Sequence, residues 1–158
     1  MTEAEKEVLQ VVLGFAEEKT LWENAMQYKE IEHNPEKMET KPYDYFKTFD
    51  LKQYDGLTQN EISERYEMFF KKYTTPKKRV YSCSPASFGF PARYQGLTAE
   101  HITAIDFANE KRCEVTCKIP TGFRQTVKFI VLKKKDGWLL DSVKTYCKSD
   151  DKWSNSLL

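Results

Sequence analysis

His101 to Lys148 reads HITAIDFANE KRCEVTCKIP TGFRQTVKFI VLKKKDGWLL DSVKTYCK, and the rest of the chain is organised around it. Polar stops at Asn109-Glu110-Lys111, Pro120-Thr121-Gly122 and Lys135-Asp136-Gly137 divide it into four strand-length stretches rich in β-branched and aromatic residues, which predicts a four-strand antiparallel meander. In the second stretch Cys113, Val115, Cys117 and Ile119 alternate with Arg112, Glu114, Thr116 and Lys118, the period of two that one buried face requires. The third puts Val127, Phe129 and Val131 on one face and Thr126, Lys128, Ile130 and Leu132 on the other, so the outer side is predicted to be partly covered. The fourth, Trp138 to Val143, is apolar on both faces, and Asp136-Gly137 before it suits a tight turn with positive φ. Such a sheet needs a second layer, which the preceding residues supply as helices.

At 158 residues, with 40% hydrophobic and 14% aromatic side chains, the chain is expected to be one domain, residues 1–158, with its own core. Met1 to Lys6 lacks the basic start and apolar run of a signal peptide, and no stretch of about 18 apolar residues occurs, so a cytoplasmic protein with no membrane partner is expected. Cys83, Cys113, Cys117 and Cys147 show no metal-binding spacing, and Cys113 and Cys117 stand too far apart on one strand for a disulfide; reduced thiols, no metal and no cofactor are the expectation. The net charge of +1 conceals a division. Residues 1–70 hold 16 acids and 8 bases, a net of −8, while residues 71–158 hold 8 acids and 17 bases, a net of +9.

Thr2 with Glu5 reads as a capping box, followed by Ala4, Val8, Val11, Val12 and Phe15 at helical spacing. Thr20 with Glu23 reads as a second, so one bent helix or two abutting ones are predicted to about Ile31, ending at His33-Asn34-Pro35 before a linker from Glu36 to Lys41. Pro42 to Gly56 is dense in aromatics. Tyr43, Phe46 and Phe49 suit one face of a short helix, and packing over an open core edge is preferred to an exposed recognition loop. Thr58 and Glu61 open a third helix whose apolar face, Ile62, Tyr66, Phe69, Phe70 and Tyr73, is predicted to lie on the sheet. Thr75-Pro76 stops it. Lys71, Lys72, Lys77, Lys78 and Arg79 lack the interleaved aromatics of a single-strand binder, so a solvated charged face is expected, without nucleic acid. Val80 to Cys83 suits a short strand, and Ser84 to Gly96 a long aromatic loop of the functional kind.

Neither a catalytic triad nor a phosphate loop can be read from the residues. Asp106 and Asp141 lie in otherwise apolar strands, where a buried carboxylate would have a raised pKa and could act as a base; the blander reading has each facing solvent or paired with a lysine.

Helices first and a meander last make an α+β fold. That order resembles the nuclear transport factor 2-like cone, a curved antiparallel sheet around a long N-terminal helix. Leu21-Trp22-Glu23, Phe69-Phe70-Lys71-Lys72-Tyr73, Thr75-Pro76-Lys77-Lys78-Arg79, Tyr81-Ser82, Pro91 to Tyr94 and above all Phe129 to Ser142 are similar to one branch of that superfamily, the bacterial immunity proteins associated with Rhs and other polymorphic toxins. The resemblance implies a non-enzymatic inhibitor that binds a cognate toxin C-terminal domain in the producing cell. Tight inhibitors concentrate energy in Tyr, Trp and Arg anchors. Two segments fit: Tyr43, Tyr45, Phe46, Asp50, Tyr54 and Asp55, whose acids could fill a nuclease's basic groove, and Phe88, Phe90, Arg93 and Tyr94. The same fold also hosts isomerase-like and dehydratase-like enzymes, and a homodimeric scaffold joined through the outer face of the third strand is a further alternative.

Overall fold

The computed structural model describes residues 1–36, 43–79 and 88–158, with only the backbone of Tyr43 and Asp44. The linker from residue 37, the Val80 to Cys83 strand, the Cys83 thiol and the start of the 84–96 loop lie outside the described residues. Thr2 begins α1 (Glu3–His33) with the expected box: its hydroxyl accepts from the Glu5 amide at 3.1 Å, and its own amide donates to Glu5 Oε2 at 2.7 Å. Thr20 and Glu23 do not start a second helix. Thr20 Oγ1 donates to the Ala16 carbonyl at 2.6 Å inside one continuous helix, a local bond as open to a mid-helix threonine as to a cap. Asn34 ends α1, its amide reaching the Glu30 and Ile31 carbonyls just before Pro35.

A single turn, α2 (Tyr43–Phe46), precedes α3 (Gln59–Tyr73), which opens on the Thr58–Glu61 box at 3.2 Å. Ile62, Tyr66 and Phe69 are buried as the spacing predicts, but chiefly against α1 instead of the sheet. Trp22 meets the Tyr66 ring at 5.0 Å and donates from Nε1 to the Ile62 carbonyl at 2.8 Å, while Phe15 meets Phe69 at 6.1 Å. Gly14 permits this approach. A Cβ there would stand 2.9 Å from the Tyr73 ring.

Among the described residues five strands, not four, form one antiparallel sheet in sequence order: β1 (Ile102–Asn109), β2 (Arg112–Lys118), β3 (Thr126–Lys134), β4 (Gly137–Cys147) and β5 (Lys152–Ser156). The fifth escapes a periodicity reading because its residues are mostly solvent-facing and polar, so pairing with β4 and not burial defines it. Cys113, Val115, Cys117, Val127, Phe129 and Val131 are fully buried on the inner face, as their alternation predicts. In β4 the register slips opposite Ile130 and Val131, leaving Asp141 as an extra residue. That bulge explains why β4 seems apolar on both faces: Trp138, Leu140 and Val143 are one inward stripe in which the period of two is interrupted by a three-residue step from Leu140 to Val143. In the turn before it only Gly137, at φ 116°, uses the left-handed region.

The fold is therefore α+β, with two helices and a five-strand antiparallel sheet sharing one core. Among the described residues no helix is long and apolar enough to cross a membrane. Cys113, Cys117 and Cys147 are free; burial pushes the Cys113 thiol up to about 11, with Asp106, Glu114 and Glu5 adding to it, and the Cys117 thiol up to about 12.

Candidate functional site

The two segments singled out in the sequence meet in the fold. Tyr45 lies 5.1 Å from the Phe90 ring and Phe46 lies 5.8 Å from it, with Tyr45 also touching Phe49 at 5.5 Å and Tyr28 of α1 touching Phe46 at 6.2 Å. Tyr45, Phe49 and Phe90 are half-buried, while Asp50 and Asp55 are exposed. Not every candidate is at the surface. Phe46, Tyr54 and Tyr94 are buried, so these three are core residues and not contact residues: the preference for packing over a core edge holds for Phe46 and Tyr54, and Tyr94 of the second segment is buried as well. Burial, helped by the charge of Glu18 and opposed by Arg65, pushes the Tyr54 phenol up to about 12. Tyr94 packs on Phe15 at 6.1 Å and Phe129 at 5.3 Å. Arg93 lies over the Tyr94 ring at 5.3 Å and donates from Nη2 to Ser156 Oγ at 2.6 Å. Phe88 turns its ring edge to Trp22, and the side chain of Tyr43 is outside the described residues.

What holds the 88–94 segment in place was not legible in the sequence. Lys19, Thr20, Glu23, Asn24 and Gln27 are all buried on α1. Glu23 Oε1 meets Lys19 Nζ at 3.1 Å, and its Oε2 accepts from the Gly89 amide at 3.0 Å and the Arg93 amide at 3.3 Å. Gln27 Nε2 donates to the Phe88 carbonyl at 3.4 Å. A loop packed against a core helix must satisfy its amides without water, and these side chains do so. The available signal was the i, i+4 spacing of Lys19, Glu23 and Gln27, interleaved with Phe15, Trp22 and Met26.

Between the C-terminal half of α1 and residues 46–56 runs an open groove of about 640 Å³, lined by Phe46, Tyr54 and Ile62. Asp50, Asp55 and Glu32 stand around it, but so do Lys29, Lys47 and Lys52. Three acids against three bases cancel, so the 43–56 segment presents a mixed surface and not the acidic one that imitation of a phosphate backbone requires. Asp50 is partly engaged, accepting from the Lys52 amide at 3.3 Å.

The basic run after α3 is not simply a solvated face either. Lys77 Nζ reaches Asp141 Oδ2 at 2.7 Å, Thr75 Oγ1 donates to Asp141 Oδ1 at 2.9 Å, and Arg79 Nε donates to the Asp141 carbonyl at 3.1 Å, which ties the segment to the β4 bulge and leaves Lys78 exposed. Burial alone would raise the Asp141 carboxyl, but the bonds from Lys77 and Thr75 and the charges of Lys77 and Arg79 bring it below the usual carboxylate range. Asp141 is thus a paired carboxylate and not a poised base, and Asp106 is exposed on β1. Among the described residues no cluster of His, Cys, Asp and Glu could hold a metal ion.

Comparisons with protein families, with curated proteins and with solved structures found no match for this chain.

Proposed function

We propose that the chain is an immunity protein of the nuclear transport factor 2-like kind, which binds and neutralises a cognate polymorphic toxin domain in the bacterial cell that makes both. The observation that carries the reading is the Tyr45–Phe90 contact, which joins the half-buried rings of Tyr45, Phe49 and Phe90 into one aromatic cluster across the two segments. Glu23 and Gln27 fix its 88–93 half to α1. A preorganised aromatic surface with charges around it binds a protein without the entropy of ordering a loop. The cone is favoured by α1, whose Val8, Val12 and Phe15 share one core with the inner face of the sheet.

An isomerase-like enzyme needs a carboxylate held in a cavity that excludes water, whereas Glu32, Asp50 and Asp55 around the groove are exposed. Glu23 and Asp141 already have both oxygens occupied. A dimeric scaffold built on the outer face of β3 has less to offer a second copy, because Ile130, its central apolar residue, is 1% exposed. The deciding experiment expresses the toxin C-terminal domain encoded beside this chain, with and without it, and scores survival and co-purification. Survival and a stable complex are expected only when both are present; equal killing in the two cultures, with no complex, would sink the proposal.

A further inference from the structure

Between β2 and β3 the chain turns through residues 119–125, and at the tip of that turn Phe123 is 96% exposed, the most open large apolar side chain among the described residues. Single exposed apolar residues are common and need no cause. This one differs in how it is held. The Ile119 amide donates to the Gln125 carbonyl at 2.9 Å, the Arg124 amide to Thr121 at 3.1 Å, and Thr121 Oγ1 to the Gln95 carbonyl at 2.9 Å, tying the turn to the 88–96 segment. Gly122 at φ 62° and Arg124 at φ 51° both sit in the left-handed region, which an arginine seldom adopts without surrounding constraints. The turn is therefore braced in a conformation that keeps the phenyl ring in water, against the usual tendency of large aromatics to bury themselves.

Phe123 does not stand alone. With Phe90, Pro91, Arg93 and Ile119 it lines a hollow of about 230 Å³, and Phe90 is the ring that joins Tyr45 across the aromatic surface. Residues 88–96 and 118–125 carry Arg93, Lys118 and Arg124 and no acid. One end of the contact face is thus mixed in charge, around Asp50 and Asp55, and the other is basic around a protruding aromatic. We infer that Phe123 is a second anchor of the toxin-contact face, inserting into an apolar pocket on the partner protein rimmed by carboxylates that meet Arg124 and Arg93. The inference rests on the immunity reading and adds to it the chemistry of the partner's surface.

The test measures association and dissociation of the purified full chain with the co-expressed toxin domain, for the parent, Phe123→Ala and Arg124→Glu, with melting curves for each. Phe123→Ala is expected to weaken binding by about thirtyfold or more, the effect of an anchor residue, mainly through faster dissociation. Its melting temperature should match the parent's, because a side chain this exposed has almost no packing to lose. Arg124→Glu should slow association at low salt, with the deficit shrinking as salt rises. Binding by Phe123→Ala within about threefold of the parent would overturn the anchor while leaving the immunity reading standing. Failure of the parent itself to bind or protect would remove both. Phe123-dependent binding of a single-stranded oligonucleotide would overturn the inference and assign the ring to base stacking.

Discussion

Lys19 and Glu23 lie one helical turn apart in the buried middle of α1, 1% and 2% exposed, and the ammonium also sits 5.9 Å from the Trp22 ring and 5.7 Å from the Tyr66 ring. Replacing such a pair with well-packed apolar residues can be neutral, but breaking it strands a charge. Glu23→Gln keeps an oxygen for the Gly89 and Arg93 amides yet leaves Lys19 uncompensated, and should cost about 3 kcal/mol in denaturant unfolding. A loss below about 1 kcal/mol would show that Lys19 finds water or another partner and that the pair does not hold the loop. The i, i+4 spacing of the pair is legible in the sequence, but the same spacing serves a solvent-exposed pair, so its burial is not. Its burial comes from the 88–94 segment, more than sixty residues away in the chain.

At the scale of elements, α3 is the clearest case of a helix whose existence and buried face were legible but whose partner was not. The capping box and the spacing of Ile62, Tyr66 and Phe69 are local facts, whereas the surface they meet depends on where α1 lies. Phe69 is 6% exposed between Phe15, Trp22 and Tyr66. Truncating it to Ala should cost about 3 to 5 kcal/mol by opening a cavity in that cluster. Chemical denaturation decides it, and a change under about 1 kcal/mol would mean that the helix contributes little to the core. β5 shows the opposite case, an element with almost no local signature that exists because β4 offers an unpaired edge.

For the whole molecule the acidic and basic halves of the sequence meet through an ion pair, and the groove within the acidic half carries both signs. Glu18 of α1 pairs with Lys72 at 3.2 Å, and Lys29, Lys47 and Lys52 offset the acids of the groove. Charge should therefore govern how a partner is steered and not whether the chain folds. Changing Asp50 and Asp55 together to Lys takes the net charge from +1 to +5, two units for each exchange. Both side chains are exposed, so the melting temperature should hold, while association with the toxin should slow several-fold at low salt and recover at high salt. Unchanged kinetics in this variant, together with lost protection in Lys78→Glu, would move the contact face to the other half of the molecule.

The sequence by itself determined the element types: the Thr2 and Thr58 helix starts, the stop at Asn34-Pro35, and the inward alternation through β2 and β3. Each of these is written in residues within one or two turns of each other, where capping bonds and side-chain periodicity act. Only the tertiary structure decided that Phe46, Tyr54 and Tyr94 belong to the core and Phe123 to the surface. It also decided that Asp141 is paired at a bulge and that two distant aromatic segments share one surface. Burial and pairing of that kind depend on which segments the fold brings together, and side chains of one chemical type sit in core or solvent according to neighbours that local pattern does not specify.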